Sequence, residues 1–147
     1  MKRSTKKLII IAILSLMVLS ITAGIYLYNK GPMDVKSVRG IRVSATELYN
    51  LFTTDSVFAG KKFTGRVVQV EGEVTRISSN NSNQKVVLIK TGTDGAYVNC
   101  TLEGPDMNTT LSHTMRIKGI CSGIGQGDAD LGSRGDVYVT RCYIATK

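Results

Sequence analysis

Three cysteines and one histidine are the residues of this 147-residue chain best suited to redox chemistry or metal binding. Cys100, Cys121 and Cys142 form no C-x-x-C pair, and His113 is eight residues before Cys121. A structural zinc site needs four ligands, usually in closely spaced pairs, and a redox catalyst usually carries C-x-x-C. The spacing therefore favours neither a structural zinc site nor a redox-active pair. The thiols either form one disulfide in an oxidising compartment or fill a core as small apolar side chains.

Carboxylates for general acid–base catalysis are also poorly placed. Glu71 and Glu73 alternate with apolar residues in a stretch typical of a strand, so we expect both on its solvated face. The sequence contains no G-x-S-x-G, H-E-x-x-H or H-x-E motif. We predict no catalytic residue, and we expect that the protein is not an enzyme.

A glycine-rich segment, Gly123–Gly127, has the composition of a phosphate-binding loop but not its setting. Such loops lie between a strand and a helix whose N-terminus binds the anion, whereas here another strand follows. Asp128 and Asp130 offer two carboxylates to a metal ion, but the rest of a twelve-residue calcium loop is missing. We predict no cofactor and no metal site.

Residues 8–28 form an uncharged apolar run that predicts a transmembrane helix. At about 1.5 Å per residue the run reaches about 31 Å, the thickness of the hydrocarbon core of a bilayer. The basic tail, residues 1–7, favours an N-terminus inside the cell and the rest of the chain outside. A signal peptide cleaved after Ile21-Thr22-Ala23 is the alternative, although the run is longer than usual for one. We predict an uncleaved single-pass anchor in the inner membrane and a periplasmic domain.

The formal net charge of +8 mostly reflects this anchor. Residues 1–30 carry five of the 19 cations and no acid, which leaves 14 cations against 11 acids in the remainder, a net charge of +3. A nucleic-acid binder concentrates positive charge in the binding domain itself. The charge distribution therefore disfavours nucleic acid as a partner.

An amphipathic helix is predicted directly after the anchor and a polar linker, residues 29–42. Ser44 and Glu47 fit the S-x-x-E capping box at the start of the predicted extracytoplasmic domain, residues 43–147. Four apolar residues then follow at helical spacing on one face: Ala45, Leu48, Tyr49 and Phe52. Asp55 fits the cap of a second short turn that carries Val57, Phe58 and Ala59 toward the same core.

After Gly60 the pattern changes to strands. Alternating or apolar stretches bounded by turn residues predict five strands, at 68–75, 85–91, 96–102, 115–121 and 137–145. Gly72 lies inside the first and indicates a sharp bend or a bulge that lets one strand serve two sheet surfaces. Five strands within about 85 residues, the first of them bent, predict a closed five-stranded OB barrel behind the helix.

Five segments carry a resemblance to a known family. They are VSATELYNLF, AGKKFTGRVVQVEGEV, YVNCTL, RIKGICSG and VYVTRCYI, and they fall in residues 43–145. Taken in order, these segments resemble the tRNA_anti-like (OB-fold) family of small bacterial envelope proteins, best known from Bacteroidetes. The resemblance implies an OB barrel behind a membrane or lipid anchor, and no established activity. The longer Gly/Asp loop before the last strand departs from the family pattern.

In an OB barrel the last strand lies beside both the third and the fourth. Cys142 therefore has two candidate partners, Cys100 and Cys121. Three thiols allow one bridge and one leftover. We predict the disulfide Cys121–Cys142.

OB folds bind oligonucleotides and oligosaccharides on the second and third strands and the loops beside them. In this chain the candidate residues of that surface are Arg76, Lys85, Lys90, Tyr97 and Asn99. Binders of single strands use several stacking aromatic side chains along a basic groove, and here one tyrosine and three cations are available. We therefore predict a non-catalytic, membrane-anchored binding module of the bacterial cell envelope, with an envelope protein or a glycan as partner. Binding of single-stranded nucleic acid is the alternative.

Overall fold

The computed structural model describes residues 3–29, 31, 34–104, 113–128, 130 and 134–145. The chain divides into two compact units, residues 1–33 and residues 34–147. Residues 105–112, between the third and fourth predicted strands, lie outside the described residues, as do residues 129 and 131–133 of the Gly/Asp loop before the last strand.

The first unit contains the helix α1 (Arg3–Asn29). An 18-residue window within its segment Lys6–Asn29 has a mean hydropathy of 2.7, and none of that window is buried. The Thr22 hydroxyl donates hydrogen bonds of 2.9 Å to the carbonyls of Val18 and Leu19, and the Ser20 hydroxyl pairs with its own helix in the same way. By length and composition α1 is able to cross a membrane once. The Ser20 and Thr22 hydroxyls find their hydrogen-bond partners within the helix, as a lipid environment requires.

The second unit contains a short strand that the sequence pattern did not identify. The strand β1 (Ile41–Ser44) pairs in parallel with the beginning of β2 (Val67–Ser79). Upstream of β1, the Val35 side chain is buried. The Lys118 ammonium donates a hydrogen bond of 2.9 Å to the Lys36 carbonyl. Residues that the pattern assigned to the linker therefore pack on the folded unit.

The predicted amphipathic helix is α2 (Ala45–Thr54). The Ser44 hydroxyl caps it by accepting a hydrogen bond of 3.1 Å from the Glu47 N–H. All four residues of the predicted apolar face are buried, so the 3.6-residue period placed this helix correctly: Ala45, Leu48, Tyr49 and Phe52.

A second helix, α3 (Ser56–Phe63), follows directly. The Asp55 carboxylate caps it as predicted, by accepting a hydrogen bond of 2.9 Å from the Phe58 N–H. The expected burial of Val57 and Phe58 is wrong, since they are 67% and 49% exposed. Ala59 and Phe63, one turn apart, form the buried side instead, which turns Val57 and Phe58 outward.

The remaining strands close with β2 into a barrel. They are β3 (Lys85–Lys90), β4 (Tyr97–Leu102), β5 (Thr114–Ile124) and β6 (Val137–Ile144). The order is β2-β3-β4-β6-β5, and β5 pairs again with β2. Only the β4–β6 pairing within the barrel is parallel. This is the predicted five-stranded OB barrel, with β1 added along β2.

Gly72 marks the place where β2 changes partners. The strand pairs with β5 as far as Glu73 and with β3 from Val74 onward. A Cβ atom on Gly72 would lie 2.5 Å from Ile89 Cγ2 and 3.1 Å from Ala45 Cβ. The change of partner confirms that one strand serves two sheet surfaces, as predicted. A larger residue at position 72 would collide with both the barrel core and α2.

Candidate ligand-binding face

Outward side chains on four neighbouring strands form one row across the barrel. The row consists of consecutive Cα partners: Arg76 on β2, Leu88 on β3, Asn99 on β4 and Tyr138 on β6. Lys90 and Tyr97 are partners in the next outward row of β3 and β4. Successive side chains on a strand point to opposite faces, and the residues between these positions are buried. These six residues are named the tyrosine face.

Four of the five residues predicted for ligand binding belong to the tyrosine face: Arg76, Lys90, Tyr97 and Asn99. Lys85 does not. Lys85 is the first residue of β3 and is half-buried. Counting by twos along the strand, it belongs with the inward residues Val87 and Ile89. Five residues of strand, about 17 Å, separate it from Lys90. The structure therefore places Lys85 apart from the other four.

Tyr138 is the member of the face that the sequence did not reveal. Its side chain is 43% exposed and lies in register with Asn99. A Cβ atom on Gly125 would lie 2.6 Å from the Tyr138 ring, so this glycine lets the loop approach the ring closely. The alternation of Val137, Tyr138 and Val139 signals an outward tyrosine. Alternation does not show which residue of β4 lies beside Tyr138, because that depends on the pairing of two strands that are distant in the sequence.

An aspartate fixes the loop before β6 beside this face. The Asp136 carboxylate accepts a hydrogen bond of 3.0 Å from the Tyr97 N–H. The Asp136 carbonyl accepts one of 2.8 Å from the Gly125 N–H. Asp136 therefore ties both ends of the loop to β4 and positions the start of β6, where Tyr138 lies. Sequence reasoning assigned it no role.

A shallow cleft of about 400 Å³ opens at the Lys90 and Tyr97 end of the face. It is lined by Glu73, Val74, Thr75, Lys90, Thr93, Asp94 and Tyr97. Two carboxylates and one ammonium give the lining a formal charge of −1 near neutral pH. The threonines and the tyrosine add hydroxyl groups that both donate and accept hydrogen bonds. This composition suits a ligand with many hydroxyl or amide groups better than a phosphate chain.

A second shallow cleft, of about 480 Å³, lies along β1, β2 and β5. It is lined by Arg42, Val43, Ser44, Glu47, Gln69, Glu71 and Arg116. Arg116 donates to one Glu71 oxygen from both Nε, at 3.0 Å, and Nη2, at 2.9 Å. Both partners are substantially exposed, so the pair contributes little to stability. Glu71 is therefore engaged in an ion pair and is not set up as a catalytic base.

The three cysteines are free and buried. The Cys142 thiol contacts the Cys100 thiol and donates a hydrogen bond of 3.3 Å to the Val139 carbonyl. Burial raises the pKa of the Cys142 thiol well above its ordinary value, and the adjacent Cys100 raises it further. Burial also raises the pKa of Cys121. The Cys121 and Cys142 thiols therefore carry little thiolate and are poor nucleophiles in the folded barrel.

The described residues contain no group of three His, Cys, Asp or Glu side chains that could hold a metal ion. In the glycine-rich loop, the Asp128 carboxylate accepts a hydrogen bond of 3.0 Å from the Asp130 N–H. This local turn engages one of the two carboxylates considered as metal ligands. His113 is exposed, and its carbonyl accepts a hydrogen bond from the Val74 N–H.

A polar cluster on β6 links the strand to the end of β4. The Glu103 carboxylate accepts hydrogen bonds from Arg141 Nε, at 3.1 Å, and from the Tyr143 hydroxyl, at 3.0 Å. The bonds from Arg141 and Tyr143 hold the pKa of Glu103 below its ordinary value. The bond to Glu103 raises the pKa of Tyr143. The Lys36 ammonium lies 4.6 Å from the centre of the Tyr143 ring, so this cluster also contacts the segment before β1.

Comparison with known proteins identifies a family and a set of similar solved structures. The tRNA_anti-like family model matches residues 1–130. No curated protein matches the chain. A crystal structure of a protein assigned as an aspartyl-tRNA synthetase from Leishmania major Friedlin is similar at 10% identity, with a TM-score of 0.40. The match covers 85% of this chain and 26% of that structure, so this chain spans about a quarter of its length.

Proposed function

Because the chain belongs to the tRNA_anti-like family and folds as an OB barrel, we propose that it is a non-catalytic binding module of the bacterial cell envelope. In this proposal α1 anchors the protein in the inner membrane, with its N-terminus inside. The predicted domain, residues 43–147, then lies on the periplasmic side. The tyrosine face binds the ligand.

The observation that carries this proposal is the pair of tyrosines beside Asn99. Tyr97 and Tyr138 come from strands joined only by long-range pairing, yet they lie on the same outward surface. A tyrosine ring offers apolar area and a hydroxyl, and an asparagine offers two donors and an acceptor. This combination supports recognition of a sugar ring or of a polar protein surface.

The charges near the face support a neutral ligand. Arg76 and Lys90 are balanced by Glu73 and Asp94, whereas binding of single strands relies on a basic groove along the backbone. We therefore favour a glycan or an envelope protein over nucleic acid.

The alternative function, binding of single-stranded nucleic acid, gains some support from the second tyrosine, because stacking needs several aromatic rings. It predicts that a short oligothymidine strand binds the full-length protein at low salt and dissociates steeply as salt rises. Fluorescence anisotropy measures this directly. Absence of binding at low salt would remove the alternative.

Chemical crosslinking in intact cells, followed by purification of the full-length chain, tests the proposed function. A Tyr97→Ser/Tyr138→Ser variant keeps the Tyr97 backbone bond to Asp136 and removes both rings. We expect this variant to lose the partner that wild type retains. The matched control is Asn81→Ala, in an exposed turn at the far end of β2. Equal recovery of every partner by all three proteins would contradict a role for the face.

We also propose that one disulfide forms outside the cytoplasm and that it includes Cys142. The sequence favours Cys121 as the partner, and the contact between the Cys142 and Cys100 thiols supports Cys100. Because all three thiols are buried, oxidation would precede the closure of the barrel.

A further inference from the structure

α3 carries an exposed stripe that neither the barrel core nor the tyrosine face uses. Val57 and Lys61 lie one turn apart on this helix, as do Phe58 and Lys62. Among the described residues of the second unit, Val57 and Phe58 are the most exposed large apolar side chains. These four residues are named the α3 stripe.

The Lys62 side chain extends over apolar surface. The Lys62 ammonium lies 5.4 Å from the centre of the Phe58 ring and 5.1 Å from that of Phe63. Long basic side chains that cover apolar surface and keep the charge at its edge are typical of segments at a membrane interface. An exposed phenylalanine beside a valine and two lysines therefore matches the composition of such a segment.

The charge around the stripe is positive. Lys61, Lys62 and Arg66 are exposed within six residues of chain. Asp55 is the nearest acid in sequence, and its carboxylate caps the helix by accepting the Phe58 N–H. A surface with this charge is complementary to anionic lipid headgroups.

The connection between the units is short. Residues 30–33 separate Asn29, the last residue of α1, from Asp34, the first residue of the second unit. A fully extended chain from Asn29 to Asp34 spans at most about 18 Å. If α1 crosses a membrane, the beginning of the second unit therefore stays close to the lipid surface.

The end of α3 and the beginning of the second unit meet the same strand. The Gly65 N–H, just after α3, donates a hydrogen bond of 2.8 Å to the Cys121 carbonyl on β5. The Lys36 carbonyl accepts from Lys118, three residues earlier on β5. Three residues of strand span about 10 Å. Hydrogen bonds to β5 therefore connect the end of α3 with the first residues of the folded unit.

We propose that the α3 stripe rests on the headgroup layer of an anionic phospholipid bilayer. Val57 and Phe58 enter the layer between headgroups, and Lys61 and Lys62 pair with lipid phosphates. The inference rests on the proposed membrane anchoring by α1, and it adds a second lipid contact made by the folded unit itself.

The chain has no tryptophan, so one introduced tryptophan reports its own surroundings. The full-length Phe58→Trp protein is reconstituted in vesicles of phosphatidylglycerol and phosphatidylcholine that include a brominated lipid. We expect the indole emission of this variant to shift to shorter wavelength and to be quenched by the bromine. The added change Lys61→Glu/Lys62→Glu should abolish both effects, and vesicles of phosphatidylcholine alone should weaken them.

Two further variants separate the failure of this inference from the failure of the anchor. The tryptophan of Leu19→Trp, within α1, must be quenched by brominated lipid if α1 crosses the bilayer. Tyr138→Trp, on the tyrosine face, provides the reference for a residue in water. Quenching in Leu19→Trp, together with a Phe58→Trp signal equal to that of Tyr138→Trp, overturns the α3 contact alone. A shift in Phe58→Trp that depends on the protein-to-lipid ratio instead of on lipid charge indicates a second copy and also overturns it.

Discussion

The backbone N–H of Tyr97 donates a 3.0 Å hydrogen bond to the carboxylate of Asp136, 39 residues later in the chain. The bond joins β4 to the last residue before β6. Tyr138 follows two residues later and lies in register with Asn99. One carboxylate thus fixes the relative position of the two tyrosines on which the proposed ligand surface depends.

Replacing Asp136 tests this link. Asp136→Ala removes the acceptor of a half-buried N–H, and we expect a loss of about 1–3 kcal/mol in the free energy of unfolding. Asp136→Asn keeps an oxygen acceptor and should lose less. Chemical denaturation measures the difference. The control is Asp128→Ala in the same loop, whose carboxylate accepts only from its near neighbour Asp130 among the described bonds; it should be close to neutral. Equal losses at both positions would contradict the assigned role of Asp136.

Close packing of β3 and α2 against β2 requires a glycine at position 72. A Cβ atom there meets Ile89 Cγ2 at 2.5 Å and the Cβ of Ala45, so Gly72→Ala should destabilise the barrel by about 1–3 kcal/mol. Gly60→Ala is the matched control, because nothing lies within 4 Å of its added Cβ in the α3 helix. That change should stabilise by about 0.5–1 kcal/mol. Thermal melts of the two variants should therefore move in opposite directions, and a shared direction would refute the assignment.

The Glu103 cluster makes stability depend on acid pH. The pKa of Glu103 is lowered in the folded state by Arg141 and Tyr143, so the unfolded state binds the proton more readily. The stabilisation is present above the ordinary carboxyl pKa and is lost as pH falls through the folded-state pKa. Denaturation curves for Glu103→Gln, recorded from neutral pH down through the carboxyl range, should show a weaker acid dependence than wild type. The effect is small because the cluster is exposed. An identical pH profile of stability in both proteins would contradict the assigned role of Glu103.

Mass spectrometry of unreduced protein, isolated from the compartment where it resides, tests the disulfide. We expect one bridge that includes Cys142 and is lost in Cys142→Ser. Peptide mapping then distinguishes Cys121, favoured by the sequence, from Cys100, which the Cys142 thiol contacts. Reduction should lower the free energy of unfolding by about 3 kcal/mol if the bridge closes the shorter loop to Cys121, and by about 4 kcal/mol if it closes the longer loop to Cys100. Three free thiols in every preparation would eliminate the bridge.

The sequence predicted what local patterns encode. The 3.6-residue period identified the buried side of α2. Alternating or apolar stretches bounded by turn residues identified all five barrel strands, although β2 runs four residues further than expected. Gly72 indicated the point where β2 changes partners, because a glycine inside a strand often marks a bulge, a tight bend or the close approach of another element.

Long-range relationships were not accessible in the same way. The Asn99–Tyr138 pairing joins strands 39 residues apart, and β1 is too short to show a period. Val57 and Phe58 were expected in the core because of their residue type. On an eight-residue helix, however, Ala59 and Phe63 already supply the buried side.

The most direct test of the proposed ligand surface places a photoreactive phenylalanine derivative at Tyr138 of the full-length chain in living cells. Illumination should yield a discrete adduct with an envelope protein or a glycan. The Tyr97→Ser change should greatly reduce this adduct, and the same probe at Asn81 should not form it. An adduct removed by nuclease would indicate the nucleic-acid alternative. Adducts at position 138 that do not differ from those at position 81, and that do not respond to Tyr97→Ser, would contradict the account.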